Sequence, residues 1–289
     1  MATSTKLCMV FDFDWTLCTF DNSITLGLFA DRLHQQFPEI DRDQIFAALN
    51  QQLLVLMGNV YGADERERAE LRVQDFFKRH VRLSNDFMPP AAQWSHVARA
   101  GVLLEDRGIE ITPEVLSFLL DTENELFELA GRVNQLFDDA VSTVSDLQSK
   151  LGAHVVVLTT SDVRLKYGVD GSLVFCRYHS NERKIDRVRR QGLCRIIPEH
   201  RVIVAENGKR HPQTLAEVMS AFHHVPEPRV FVKVGDTHSD MQLDFPEERV
   251  FVVRQRRADG SFDRPARATH VIEQLAELAP YLERRYKFR

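Results

Sequence analysis

The chain has 289 residues, 44% of them hydrophobic and 27% charged, with a net charge of −5. That length lies where one core stops growing and chains divide, so two domains are expected. The composition excludes a disordered chain, a collagen-like chain and a disulfide scaffold. No apolar run approaches the ~18 residues of a membrane span, and no basic segment followed by a long apolar stretch reads as a secretory leader. Cys8, Cys18, Cys176 and Cys194 have no paired metal-ligand spacing and read as reduced thiols of a cytoplasmic protein. Residues 18–140 hold 21 acidic and 11 basic side chains, against 21 and 26 in the remainder. An anion would therefore be drawn to the flanking segments and not to the middle one.

Residues 7–13 (LCMVFDF) form a short β-type run that ends abruptly in acids. Residues 22–137 then read as helix after helix. Asp41 or Asp43 can cap a helix whose positions Ile45, Phe46, Leu49, Leu53 and Leu56 keep the helical period, with Gly58 beyond its end. Thr112-Pro113-Glu114 opens another helix, with an apolar stripe at Val115, Leu119, Leu126, Ala130, Val133 and Phe137. After residue 138 the pattern changes. Residues 140–151 look helical, and 154–158, 201–205, 229–234 and 249–253 are continuous β-branched runs separated by helix-length stretches. Such alternation predicts a parallel sheet covered on both faces. The first run belongs with these four, so the helical block is an insertion into an α/β domain. The expected division is 1–17 and 138–289 for the α/β core and 18–137 for the helical insert.

In an open parallel sheet, ligands bind beyond the carboxyl ends of the strands. The predicted strands stop at Asp12-Phe13-Asp14-Trp15-Thr16, at Thr159-Thr160-Ser161, ahead of Gly208-Lys209, and at Gly235-Asp236-Thr237-His238-Ser239-Asp240. Four distant segments thus bring carboxylates, hydroxyls and an ammonium to one edge. At an effective dielectric of 20, like charges ~4 Å apart repel by ~4 kcal/mol, which several carboxylates cannot sustain against a domain stability of ~5–15 kcal/mol. A divalent cation is the natural counterion. Hard oxygen ligands without a cysteine or histidine set point to Mg²⁺ and not Zn²⁺.

These motifs resemble those of the haloacid dehalogenase-like superfamily, and the likeness runs from Leu7 to about Val253. The first motif matches Asp12-Phe13-Asp14-Trp15-Thr16, the second a strand ending at Thr159 or Thr160, the third Lys209 ahead of Pro212, and the fourth Gly235-Asp236 with Asp240. The insert directly after the first motif resembles the superfamily's C1-type helical cap. The resemblance implies a Rossmannoid α/β core and a Mg²⁺-dependent phosphatase acting through an aspartyl-phosphate. In that scheme Asp12 is the nucleophile and Asp14 the general acid and base, while Thr159 and Lys209 stabilise the phosphoryl oxygens. Thr160 and Arg164 would contact substrate, and Asp12, Asp14, Asp236 and Asp240 would hold the metal. Asp12, with a reference pKa of ~3.9, is ionised at neutral pH and needs no base. Asp14 must carry a proton, and crowding by carboxylates is expected to favour that.

Other readings stand beside this one. A phosphotransferase or mutase would use the same aspartyl-phosphate, and a non-catalytic binding module could be built on the same fold. Lys166 and Lys184 compete with Lys209, whose neighbouring glycine and proline favour it. Lys233 interrupts an apolar run, either snorkelling to the strand edge or serving the site. Lys233-Val234-Gly235-Asp236-Thr237 also resembles the fourth motif of phosphonoacetaldehyde hydrolases. Those enzymes lack an acid at the position of Asp14 and use a cap lysine, whereas the helical block here offers only Lys78. Trp15 stands where the superfamily most often has glycine. Residues 177–201 carry eight basic and three acidic side chains. Without interleaved aromatics they read as a solvated helix face and argue against a nucleic-acid partner. The stretch 163–181 reads as a flap over the site. The expected partner is a small phosphorylated metabolite, with no membrane surface involved.

Overall fold

The computed structural model describes residues 5–19, 22–57, 61–83, 88–89 and 92–286. In chain order its elements are β1 (Lys6–Phe11), α1 (Asn22–Gln36), α2 (Arg42–Met57), α3 (Ala63–His80), β2 (Val81–Arg82), α4 (His96–Asp106), α5 (Pro113–Val133) and α6 (Asp138–Leu151). There follow β3 (His154–Thr160), β4 (Leu165–Tyr167), β5 (Leu173–Phe175), α7 (Arg177–Arg190), β6 (Val202–Ala205), α8 (Pro212–Ala221), β7 (Arg229–Gly235), β8 (Glu248–Val252), β9 (His270–Ile272) and α9 (Leu278–Tyr286). The chain divides into two compact units. One comprises Met1–Thr19, Gln135–Thr160 and Ile185–Arg289, the other Phe20–Asn134 and Ser161–Lys184.

The first unit is built on a six-stranded sheet in the order β6-β3-β1-β7-β8-β9, with every neighbouring pair parallel. Because strand side chains alternate between faces, the unbroken apolar run of β1 serves two cores. Leu7, Met9 and Phe11 pack with Val155, Val157, Val232 and Val234 and with Val144 and Leu147 of α6. Cys8 and Val10 pack with Val156 and Leu158 and with Val218 and Phe222 on the opposite face. Each fully buried Leu, Val or Phe contributes roughly 1.5–3 kcal/mol relative to exposure, so both faces of β1 anchor the unit. The sixth strand, β9, was not marked by the residue pattern, since three residues are too few to show a period. It is held through its neighbours: His270 stacks on Tyr281 of α9 with ring centroids 3.8 Å apart.

The second unit holds α1 to α5 and a small sheet in the order β2-β5-β4. β5 pairs parallel to β2 and antiparallel to β4. This sheet is what the 163–181 stretch forms, and its partner strand β2 is a two-residue segment within the helical block. Asp41, not Asp43, caps α2: its Oδ1 accepts from the backbone N–H groups of Asp43 and Gln44 at 3.1 and 3.0 Å. Thr112 Oγ1 accepts from Val115 N at 3.4 Å and opens α5, as its sequence predicts. Leu119 and Leu126 of the α5 stripe are buried. Gly58 and the side chains at Ala130 and Val133 lie outside the described residues. Among the described residues no helix is long and apolar enough to cross a membrane.

Candidate functional site

β1 lies between β3 and β7, the two strands that follow it into the sheet from opposite sides. Strand order reverses there, and this leaves a crevice beyond the strand ends. β1 ends at Phe11, so Asp12 is the first residue past the sheet. Its N–H still bonds Val234 O at 2.9 Å, which fixes the backbone from which the carboxylate projects. β7 ends at Gly235, placing Asp236 beside it.

The carboxylates of Asp12, Asp236 and Asp240 are buried, and one oxygen from each lies within 4.8 Å of the others. Thr16 Oγ1 bridges two of them, lying 3.3 Å from Asp12 Oδ2 and 3.1 Å from Asp236 Oδ1. Lys209 Nζ donates to Asp12 Oδ1 and, at 2.6 Å, to Asp240 Oδ1. Lys233 Nζ makes an ion pair with the same Asp240 oxygen at 3.5 Å. The other Asp240 oxygen accepts from Thr237 N at 3.2 Å and Thr237 Oγ1 at 2.7 Å.

Local backbone chemistry explains these placements. Gly208, at φ +91°, takes the left-handed conformation that turns the chain after β6, and its carbonyl accepts from Thr214 Oγ1 at 2.9 Å. Lys209 is thereby held ahead of α8, whose first residue is Pro212. A Cβ on Gly235 would sit 2.4 Å from the Cβ of Asp240, so only glycine lets the 240 carboxylate fold back over the strand end. Trp15 occupies φ +60°, a conformation that costs a non-glycine residue roughly 1–2 kcal/mol. The turn is held by Arg254, whose Nε and Nη2 donate to the carbonyls of Trp15 and Thr16, each at 3.0 Å.

Electrostatics divides the cluster. Burial, then the Asp240 charge, pushes the Asp12 carboxyl up, with Lys209 and Lys233 opposing. Asp236 is driven well above the ordinary carboxylate range by burial and by Asp12 and Asp240. For Asp240 burial works upward, but Lys209, Lys233 and Thr237 prevail and hold it below its usual value. A cation among the three would relieve the upward pressure on Asp12 and Asp236. The donor set is all oxygen, and two ligand oxygens on an octahedral Mg²⁺ lie about 3–4 Å apart. Asp12, Asp236 and Asp240 therefore fit a Mg²⁺ ion with small side-chain adjustments.

Solved structures share this architecture. A haloacid dehalogenase-like family hydrolase of Xanthomonas campestris superposes with a TM-score of 0.53 at 13% identity, covering 99% of this chain and 100% of that one. The chain has the haloacid dehalogenase-like fold. A second hydrolase of that kind, from Deinococcus radiodurans and solved with bound phosphate and sodium, gives a TM-score of 0.51 at 15% identity over 98% of this chain and 97% of that one. A Thermotoga maritima protein described as a candidate beta-phosphoglucomutase gives 0.50 at 16% identity, over 96% and 98%. No family model matches the sequence, and no curated protein is significantly similar to it.

Within this fold Asp12, Lys209, Asp236 and Asp240 converge, and the charge of Asp14 also acts on Asp12. The Asp14 carboxylate is bound by the guanidinium of Arg187 on α7, a cation that the residue pattern did not mark. Thr159 is buried at the end of β3, with its hydroxyl 3.5 Å from Thr160 O. Thr160 follows it in register with Ala205 of β6. Arg164 belongs to the second unit, where it is exposed and its N–H donates to Ser180 Oγ at 2.9 Å. Lys184 is not a surface lysine: it pairs with Asp162 at 2.8 Å and is buried. Sequence reasoning missed Thr16, Arg187 and Arg254. Only Thr16, four residues after Asp12, had a local signal, since a turn returns position i+4 toward position i.

Proposed function

We propose that this protein is a Mg²⁺-dependent phosphatase that hydrolyses a small phosphorylated metabolite through an aspartyl-phosphate on Asp12. The observation that carries this reading is the partly buried Asp12–Lys209–Asp240 contact beside Asp236. It supplies a fixed nucleophile, a fixed ammonium and an oxygen-only cation site at one strand edge. An Asp12 oxygen attacks phosphorus in line with the ester oxygen, forming a P–O bond to the carboxylate while the P–O bond to the leaving alcohol breaks. Asp14 delivers the proton that the leaving oxygen takes, then removes one from the water that hydrolyses the acyl phosphate. Lys209 and the Thr159 hydroxyl are assigned to the charge on the phosphoryl oxygens, with Thr160 and Arg164 assigned to substrate. When bound, Mg²⁺ would neutralise phosphoryl charge, held by Asp12, Asp236 and Asp240 with the backbone carbonyl of Asp14. The insert is read as a C1-type cap that limits substrates to small molecules. A cytoplasmic setting belongs to the same reading and rests on the absence of any paired cysteine spacing in the sequence.

The test is release of phosphate from an aryl phosphate with and without Mg²⁺. Activity should require the metal and vanish in Asp12→Asn, and full activity in that variant would overturn the reading. The similarity to the Thermotoga protein supports a phosphotransferase as the second reading. Turnover of a sugar phosphate that depends on a bisphosphate activator, without release of phosphate, would favour it.

A further inference from the structure

Lys233 is fully buried in the middle of β7, in register with Val10 of β1 and Arg249 of β8. Burying an ammonium costs several kcal/mol unless negative charge is close by. The only ion-pair partner of its Nζ among the described residues is Asp240, at 3.5 Å. Snorkelling to solvent is ruled out by this burial. Asp240 already receives a shorter hydrogen bond from Lys209 and two from Thr237, so a second lysine is not needed to hold its carboxylate in place.

Its effect is instead on the charge of the whole cluster. Three buried carboxylates, Asp12, Asp236 and Asp240, face two ammonium groups, the partly buried Lys209 and the buried Lys233. With all three carboxylates ionised, as a bound cation favours, the cluster has one negative charge in excess. One divalent ion would turn that into one positive charge, the sign that retains a phosphate group. With Lys233 neutral, the same loaded cluster would carry no net charge. We propose that Lys233 sets this balance, weakening the hold of the site on a divalent cation and strengthening its hold on phosphate. The proposal rests on the reading that Asp12, Asp236 and Asp240 take a cation.

Calorimetry on the full chain tests it, using Mg²⁺ alone and then inorganic phosphate added to Mg²⁺-loaded protein. Lys233→Met should bind Mg²⁺ about tenfold more tightly than wild type and phosphate about tenfold more weakly, because a unit charge this close is worth at least that in a buried site. Removing one partner of a buried ion pair is destabilising, so circular dichroism first establishes that the variant is folded at the temperature of the titration. Lys233→Gln, which removes the charge and keeps a polar end, should show the same opposed shifts. Affinities that stay unchanged, or that weaken together, would reduce Lys233 to a packing role and overturn the proposal. Wild-type protein that binds no Mg²⁺ would overturn the cation-site reading itself, and the two failures are therefore distinct.

Discussion

The guanidinium of Arg187 hydrogen-bonds the carboxylate of Asp14, 173 residues away in the chain. Arg187 is itself buried against Phe13, its Cζ 5.7 Å from the ring centroid. The residue assigned to proton transfer is thus oriented by a cation. Arg187→Met should lower kcat for an alkyl phosphate, whose poor leaving group needs a proton, by about 10²-fold, within the ~10²–10⁴-fold that general acid catalysis supplies. An aryl phosphate with a good leaving group should be much less affected. Steady-state kinetics on the two substrates checks this, and equal losses would remove Asp14 orientation as the role of Arg187.

Gly235 is predicted to be irreplaceable. An added Cβ would lie 2.4 to 2.7 Å from the Cβ, Cγ and Oδ2 atoms of Asp240. Gly235→Ala must push that carboxylate off Lys209 and Thr237. Misplacing a catalytic group by ~1 Å costs ~10²-fold, so kcat/KM should fall by about that factor. Overpacking should also cost ~1–3 kcal/mol of stability, measurable by urea denaturation.

The carboxylate cluster has a pH signature. Asp236 has its pKa raised in the folded protein, so between the ordinary carboxylate value near 3.8 and that raised value the folded state binds more protons than the unfolded state. Stability then falls as pH rises through this window. In chelator, wild-type protein should lose stability on going upward from about pH 4, and Asp236→Asn should lose less. Saturating Mg²⁺ should restore wild type, by ~2.7 kcal/mol at a hundredfold excess over its Kd, and leave Asp236→Asn unchanged. Denaturant midpoints across pH, with and without Mg²⁺, provide the measurement.

Glu248 at the start of β8 is a structural counterpart. Its buried carboxylate accepts from Tyr281 OH, Tyr286 OH and Arg285 Nε, each at 3.0 Å, and from Thr269 Oγ1 at 2.7 Å. These partners hold its pKa below the usual glutamate value against burial. The stability it contributes is therefore present above the ordinary value near 4.5 and is lost as pH falls below it. Glu248→Ala should release α9 from the sheet edge and cost ~2–4 kcal/mol, given ~1.5–3 kcal/mol for one hydrogen bond to a charged group and incomplete additivity. Urea denaturation and amide exchange in α9 report it.

Asp12, Lys209, Asp236 and Asp240 were legible in the sequence because each stands shortly after the end of a strand-like run, and a charge at such a place is a local signal. The parallel sheet was legible for the same reason, its β-branched runs being long enough to show burial on both faces. β2 and β9, with two and three residues, were too short to leave any such period, and only pairing with distant partners makes them strands. Arg187 sat in a basic stretch that read as solvated. Its burial and its contact with Asp14 arise because packing brings α7 to the turn after β1, and helical spacing alone carries no trace of that. Lys233 could be marked as unusual but not assigned, since its meaning depends on how many carboxylates share its surroundings. The sequence by itself determined which chemical groups stand at the strand ends, through short-range pattern. Tertiary structure decided which of them share charge, because a buried electrostatic contact depends on distance in space and not on separation along the chain.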